Sequence, residues 1–324
     1  MSEAARQIAA RSAHGLPGLL VWRRVVQDTG ALDPSPVVFL VSASDLGTLA
    51  QSLADRFVPL ATDNVEGLGA YVGAGELRAV LLHAQRKVRV DALPRRVARG
   101  ALVEVAGTFL LPLIDPTIFV EAPDGTVTQL KVLPRADHFS THFTAEGVGH
   151  YTIEVMGRGK SGPEVVALQS LEVGPPPAVP SPVDDAEPVF EGPDDAAAVL
   201  EAINRERQRY GAAALSPDAR LAAVAGAYAQ ELRELRIFAH VSPRSGNLTA
   251  RLQRVGYPFR SAAENLAQGP SAVAANALAA ESPAHRKAML DPTYTRCGIG
   301  LSRVINGDGR SDVLLVEVFA VDGG

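Results

Sequence analysis

The stretch GPPPAVPSPVDDAEPVFEGPDD, Gly174 to Asp195, constrains the chain more than any other. It holds seven prolines and a cluster of acidic residues. Each proline fixes φ and lacks an N–H, so neither a helix nor an interior strand can run through it. The segment is expected to be an extended, semi-rigid linker. The chain must therefore build separate cores on either side, and its 324 residues suffice for two or three domains. At 47% hydrophobic and 21% charged it is globular rather than disordered. With only 5% aromatic residues, the cores have to come from Ala, Val and Leu.

The formal net charge of -5 argues against a nucleic-acid partner, which calls for a basic face. One cysteine, Cys297, excludes an intrachain disulfide and a Cys-rich zinc site. It lies in TRCGIGLSRV, which has the pattern of a buried strand, and reads as an inert core thiol. The longest apolar run, LPGLLVWRRVV, is short and interrupted by Arg23 and Arg24, so no membrane-spanning segment is expected. No secretory leader stands at the start. Either the protein is cytoplasmic or the sequence begins after its export signal.

Before the linker, residues 100–173 hold short alternating runs separated by turns: ALVEVAGTF, TIFVEA, TVTQLKVL, HFSTHFT, HYTIEVMG and VVALQSLEV. Asp124-Gly125 between two of them is a hairpin signal. The spacing predicts an Ig-like β-sandwich. His138, His142 and His150 alternate along its strands and read as surface histidines rather than a metal cluster. Residues 1–99 form a small α/β region, with helical patterns at Ala4–Ala13 and Ala43–Arg56 and strands in LGAYVGAG, RAVLLHAQ and KVRVDALP. GAYVGAG lacks the spacing and the following helix of a dinucleotide loop. GLGAYVGAGELRAVLLH, 67–83, echoes GIGLSRVINGDGRSDVLLVE, 298–317, in its G-x-G, turn and Val-Leu-Leu. Chance likeness of two hairpins and a degenerate copy of the last domain both account for this.

After the linker, residues 196–324 turn helical. Asp194 or Asp195 can cap a helix with Val199, Leu200, Ile203 and Tyr210 on one face. Ser216-Pro217-Asp218 is a helix start, and Leu221, Val224, Ala225, Tyr228, Leu232 and Leu235 follow at helical spacing. That helix is expected to run through Phe238 and His240 to the break at Ser242-Pro243. PSAVAANALAAE is another helix, and RCGIGLSRV, NGDG and SDVLLVEVFAV make a closing hairpin. Helices first and a hairpin last suggest an α+β layered domain.

The ordered segments INRERQRYG, LSPDARLAAVAGAYAQEL, FAHVSP, RLQRVGY, ENLAQG, SPAHRKAMLDPTYTRCGIG and VFA resemble the CAP family, also called SCP domains. This is the group of cysteine-rich secretory proteins, antigen 5 and pathogenesis-related proteins, and the likeness is to its bacterial branch, over about 196–321. The resemblance implies an α-β-α sandwich with a cleft lined by two histidines and acidic residues. His240 matches the family's first histidine, Glu264 the acid of its Glu-Asn pair, and His285 the histidine of its Ser-Pro-Gly-His-Arg segment. Glu281 lies near the position of a second cleft acid, with Ser282 closer to it. Asn204 and Arg207 match a structural Asn-x-x-Arg of the first helix. The family's tryptophan before the last histidine is replaced by alanine near Ala279, an asparagine after it by Ala288, and a helix histidine by Tyr228.

Two histidines and a carboxylate can bind a divalent cation, zinc above all, through His240 and His285. They can form a proton relay, or only brace the core. Three functions follow. The first is a non-enzymatic extracellular or cell-envelope module that binds a metal, a small lipid- or sterol-like ligand, or a protein. The second is a hydrolase with Ser242, Ser282 or a metal-bound water as nucleophile, although neither serine lies in a G-x-S-x-G elbow. The third is an interaction protein with a vestigial cleft. The residues lean toward binding without catalysis.

Overall fold

The computed structural model describes residues 1–12, 16, 18–34, 36–54, 64–73, 76–135, 138–176, 193–305 and 311–323. Most of the proline-rich stretch and the NGDG turn lie outside the described residues. Among those described, the chain is mixed α/β with eight helices and several sheets. It divides into two compact units, Met1–Gly157 with Val165–Pro188, and Arg158–Glu164 with Val189–Gly324.

The first unit opens with α1 (Ser2–Arg11), α2 (Leu19–Asp28), β1 (Val37–Ala43), α3 (Leu46–Ala54), β2 (Asn64–Gly73) and β3 (Glu76–Gln85). The three strands form an antiparallel sheet in the order β1-β3-β2. Val80 and Leu82 of β3 face Ile8, Val25 and Val26 of the two leading helices. The helix expected over Ala43–Arg56 starts only at Leu46. Ala43 instead ends β1, paired with Leu77, and Asp45 accepts the Thr48 N–H at 2.9 Å as a cap.

Nine further strands follow: β4 (Val88–Val90), β5 (Arg96–Val97), β6 (Ala101–Phe109), β7 (Ile114–Glu121), β8 (Val127–Leu130), β9 (Leu133–Arg135), β10 (His138–Ala145), β11 (Gly149–Gly159) and β12 (Gly162–Val173). They make two sheets, β4-β6-β10-β9 and β5-β12-β11-β7-β8, around one core of Val105, Ile118, Phe139, Ile153 and Leu171. Because β4 and β5 pair into these sheets, the β region begins at Val88, ahead of the boundary read at 100. Gly125 sits at φ +81 between the paired strands β7 and β8, as the Asp-Gly turn requires. His150 pairs with Glu172 at 2.8 Å on the surface.

The second unit holds α4 (Ala196–Arg209), β13 (Ser216–Pro217), α5 (Ala219–Leu235), α6 (Leu248–Arg254), β14 (Phe259–Gly269), α7 (Ala272–Ala280), α8 (Pro283–Leu290), β15 (Arg296–Ile305) and β16 (Ser311–Asp322). Its sheet runs β13-β15-β16-β14. Alternation along β16 sends Val316 and Val318 to α5 and α6, and Leu315 and Phe319 to α4, α7 and α8. The result is three layers, helices on both faces of one sheet. Asp195 caps α4, while Asp194 accepts from Ala272 and Val273 N–H at the start of α7.

Two local expectations change here. Ser216-Pro217 is a short strand beside Arg296–Cys297, and Asp218 alone caps α5. That helix stops at Leu235, because Arg236 turns left-handed at φ 53 and leaves residues 236–247 as a loop. Arg207, fully buried, donates to the carbonyls of Ala213, Met289, Asp291 and Tyr294 at 2.7 to 3.1 Å. Asn204 exchanges two hydrogen bonds with the Leu215 backbone. Together they tie α4 to the segment before β13 and to the segment after α8.

Both G-x-G pairs of the internal echo lie beneath a helix. A Cβ on Gly67 or Gly69 would strike the backbone of Met1, Ala5 and Arg6, and one on Gly298 or Gly300 that of Leu221, Ala222, Ala225 and Gly226. The strand after each G-x-G strand also pairs with an earlier strand, β1 on β3 and β14 on β16. Gly300→Ala is therefore expected to lower the urea midpoint by the equivalent of about 3 kcal/mol or more. Gly226→Ala, where a Cβ meets open space on a helix, should raise stability by about 0.5–1 kcal/mol. Urea unfolding followed by circular dichroism checks both.

Candidate functional site

The site is built on β14, the edge strand of the second unit's sheet. Glu264 and Asn265 are consecutive on it, so their side chains leave opposite faces. Glu264 pairs across the sheet with Val318, on the α5 and α6 side. Asn265 pairs with Glu317, on the side of α7 and α8.

On the first face, His240 comes from the loop after α5, and its Nδ1 lies 3.0 Å from Glu264 Oε1. Arg251 of α6 places Nη2 on the other carboxylate oxygen, Oε2. The side chains of Glu264 and Arg251 are 4% and 5% exposed, that of His240 20%. With Arg251 donating to the Glu264 carboxylate, the hydrogen between His240 and Glu264 belongs to Nδ1. In the neutral imidazole, Nε2 then carries the lone pair.

Tyr228 supports this group from α5. Its ring lies under the Arg251 guanidinium, 3.4 Å from the ring centre, and its hydroxyl donates to Ala239 O, next to His240. Burial, more than any neighbouring charge, pushes the Tyr228 hydroxyl up to about 12, so it remains a donor. Within the same unit, the backbone N–H groups of His240 and Val241 donate to Ser161 O at 3.1 and 3.0 Å. The histidine is thus fixed through side chain and backbone.

On the opposite face, Asn265 Nδ2 lies 3.2 Å from His285 O and 2.9 Å from Glu317 Oε2. His285 stands in the first turn of α8, where Ser282 Oγ accepts its N–H at 3.3 Å. Glu281 closes α7. The structure therefore joins His240 directly to Glu264, and His285 to the same strand through the neighbouring asparagine. Among the described residues, no three His, Cys, Asp or Glu side chains stand as a group able to hold a metal.

Neither serine weighed as a nucleophile is disposed to be one. Ser242 Oγ is buried, donates to Glu231 and accepts the Arg244 N–H at 3.0 Å. Ser282 Oγ serves as the cap of α8. Cys297 is buried, and burial, reinforced by the Glu317 carboxyl, pushes its thiol well up.

Arg251, Tyr228 and Glu317 were not foreseen as site residues. Arg251 did leave a trace, an arginine beside Leu252 on the face that α6 buries. Glu317 interrupts the apolar run VLLVEVFAV and is fully buried. Burial pushes its carboxyl up to about 8, against the opposing pull of the Asn265 hydrogen bond.

Two outcomes are expected. Arg251→Met leaves Glu264 buried and uncompensated, at a cost of about 3–5 kcal/mol in urea unfolding, and Arg251→Met/Glu264→Leu costs less than the single change. For Glu317 the folded value lies above the ordinary 4.5, so the folded state keeps a proton that the unfolded chain loses. Stability is full below about pH 4.5, falls as pH rises toward about 8, and levels off beyond. Glu317→Gln should remove this loss, on the order of a few kcal/mol, and flatten the Tm-versus-pH profile between pH 5 and 9.

Residues 200–320 match the model of the cysteine-rich secretory protein family, CAP. The chain is 36% identical over 109 residues to the Bacillus subtilis uncharacterized membrane protein YlbC, covering 32% of this chain and 31% of that one. It is 33% identical over 105 residues to the Bacillus subtilis uncharacterized protein YkwD, covering 32% and 40%. The chain thus spans less than half the length of these curated relatives. Among solved structures, an extracellular protein containing a SCP domain from Bacillus anthracis aligns with 72% of this chain and 88% of its own, at 17% identity and a TM-score of 0.35.

Proposed function

Residues 200–320 are a CAP domain, and from that premise we propose that the second unit is a non-enzymatic binding module. Its site is the His240 edge beside β14, and its ligand is a small apolar molecule carrying one hydroxyl. The observation that carries this reading is the state of Glu264. Both carboxylate oxygens are engaged, one by His240 and one by Arg251. The carboxylate is therefore committed to orienting His240 and holding Arg251.

A zinc ion needs three or four protein or water ligands in a tight shell. His240 Nδ1 on Glu264 is the usual support of a metal-binding histidine, but no group of three His, Cys, Asp or Glu side chains stands together among the described residues, so they do not fit the zinc site that the two histidines suggest. What His240 offers outward is a single acceptor at Nε2, which suits a hydroxyl donor. Phe238, two residues before it, is 55% exposed and supplies apolar surface. The structural roles of Ser242 and Ser282 leave the hydrolase reading without a serine nucleophile.

An extracellular or envelope setting is part of the proposal. It is supported by the relative named as a membrane protein. No helix among the described residues is long and apolar enough to cross a membrane. We read the two sheets before the linker as an Ig-like module. We also read residues 1–85 as a reduced copy of the CAP core, supported by the matching strand order and the paired G-x-G contacts.

Calorimetric titration of the full chain with Zn²⁺, and separately with dodecanol and dodecane, tests the site. We expect no stoichiometric zinc binding, and tighter binding of the alcohol than of the hydrocarbon by about tenfold, the scale of one hydrogen bond. His240→Ala should erase that preference. Stoichiometric zinc binding lost in both His240→Ala and His285→Ala would sink the reading, as would equal binding of the two organic probes.

A further inference from the structure

The buried acid of β16 has a place in this site. We propose that Glu317 is a positioning residue for the face of β14 opposite His240: it fixes the amide of Asn265 and, through that amide, the first turn of α8 that carries His285. The inference concerns the face of β14 opposite the His240 site, where the resemblance implies a role for His285, and its test does not depend on any ligand.

Three observations carry it. Glu317 is fully buried at the centre of the sheet, in the row Asn265–Glu317–Ile299, with Leu315, Phe319 and Cys297 in the adjoining rows of the same face. An acid here is costly, and the alternation of β16 asks for an apolar side chain. Its Oε1 meets no hydrogen-bond partner among the described residues, whereas Oε2 receives Asn265 Nδ2 at 2.9 Å. What the acid does is therefore concentrated on one neighbour.

That neighbour has two amide hydrogens, and both are used. One goes to Glu317 Oε2 and the other to His285 O, at 3.2 Å. If the amide flipped, its oxygen would face the His285 carbonyl, an obligate acceptor; with one amide hydrogen on Glu317 Oε2, the other is aimed at α8. The first turn of α8 is then gripped from both sides, by Ser282 on the His285 N–H and by Asn265 on the His285 carbonyl. Glutamine could replace Glu317 in this task because it keeps an acceptor at the same reach. Methionine could not.

The experiment uses the full chain and reads His285 itself, through its imidazole NMR shifts and the amide exchange of the first turn of α8, with α5 as internal reference. Glu317→Gln is expected to match the wild type. Glu317→Met should move the His285 resonances and speed exchange in that turn by about tenfold, the effect of one lost hydrogen bond. Asn265→Ala should do the same, and the double variant should add nothing to either single change. The proposal fails if Gln and Met behave alike, or if the double variant shows the sum of the two effects. Should Glu317→Met not fold, Glu317→Asp takes its place, since it keeps the acid but withdraws the acceptor. A changed His285 in Asp with an unchanged one in Gln supports positioning; the reverse order means that charge, not reach, is what matters, and overturns it.

Discussion

A carboxylate buried between a guanidinium and an imidazole governs the second unit. Glu264 cannot sit beneath α6 as a charge unless something neutralises it. Arg251 does so, and Arg251 in turn rests on the ring of Tyr228. The Tyr228 hydroxyl reaches back to the loop that carries His240. One ion pair thereby sets the tautomer of the histidine, the path of the loop after α5 and the seat of α6.

The edge strand β14 distributes this order to both faces. Because side chains alternate along a strand, Glu264 and Asn265 reach in opposite directions from adjacent positions. Each holds a histidine-bearing segment, one through a ring nitrogen and the other through a main-chain carbonyl. The rest of the sheet serves closeness. Gly298 and Gly300 let α5 press on β15, a fit that any side chain would spoil. A chain with few aromatics can fill its core this way, with small residues and short separations rather than large rings. The same device recurs at Gly67 and Gly69 under α1.

Much of this was legible in the residues. Turn signals and alternation located the β region before the linker, although not its first strands, β4 and β5, which are only three and two residues long and carry almost no pattern. Helical spacing found α4, α5 and α7, and the closing hairpin followed from its glycines and Val-Leu-Leu run. The missed elements share a cause. The sequence of β14, FRSAAENLAQG, has no β-branched residue and reads as helix or loop, yet it becomes a strand because β16 offers it a partner. The end of α5 was misplaced because Arg236 gives no composition cue for a left-handed turn.

The site divides in the same way. The sequence by itself determined a layered α+β domain after a proline-rich break, a family resemblance over that domain, and His240, Glu264 and His285 as residues of interest. The layered domain is a local property, written in spacing and caps, whereas the three residues are what the family resemblance implies. Only the tertiary structure decided that Arg251 neutralises Glu264, that Tyr228 braces both, and that Glu317 stands behind Asn265. Those pairings join residues 13 to 52 positions apart, through elements that meet only when the sheet has assembled. Charge balance in a buried site depends on which groups share a few ångströms of low-dielectric space, and no linear pattern encodes that.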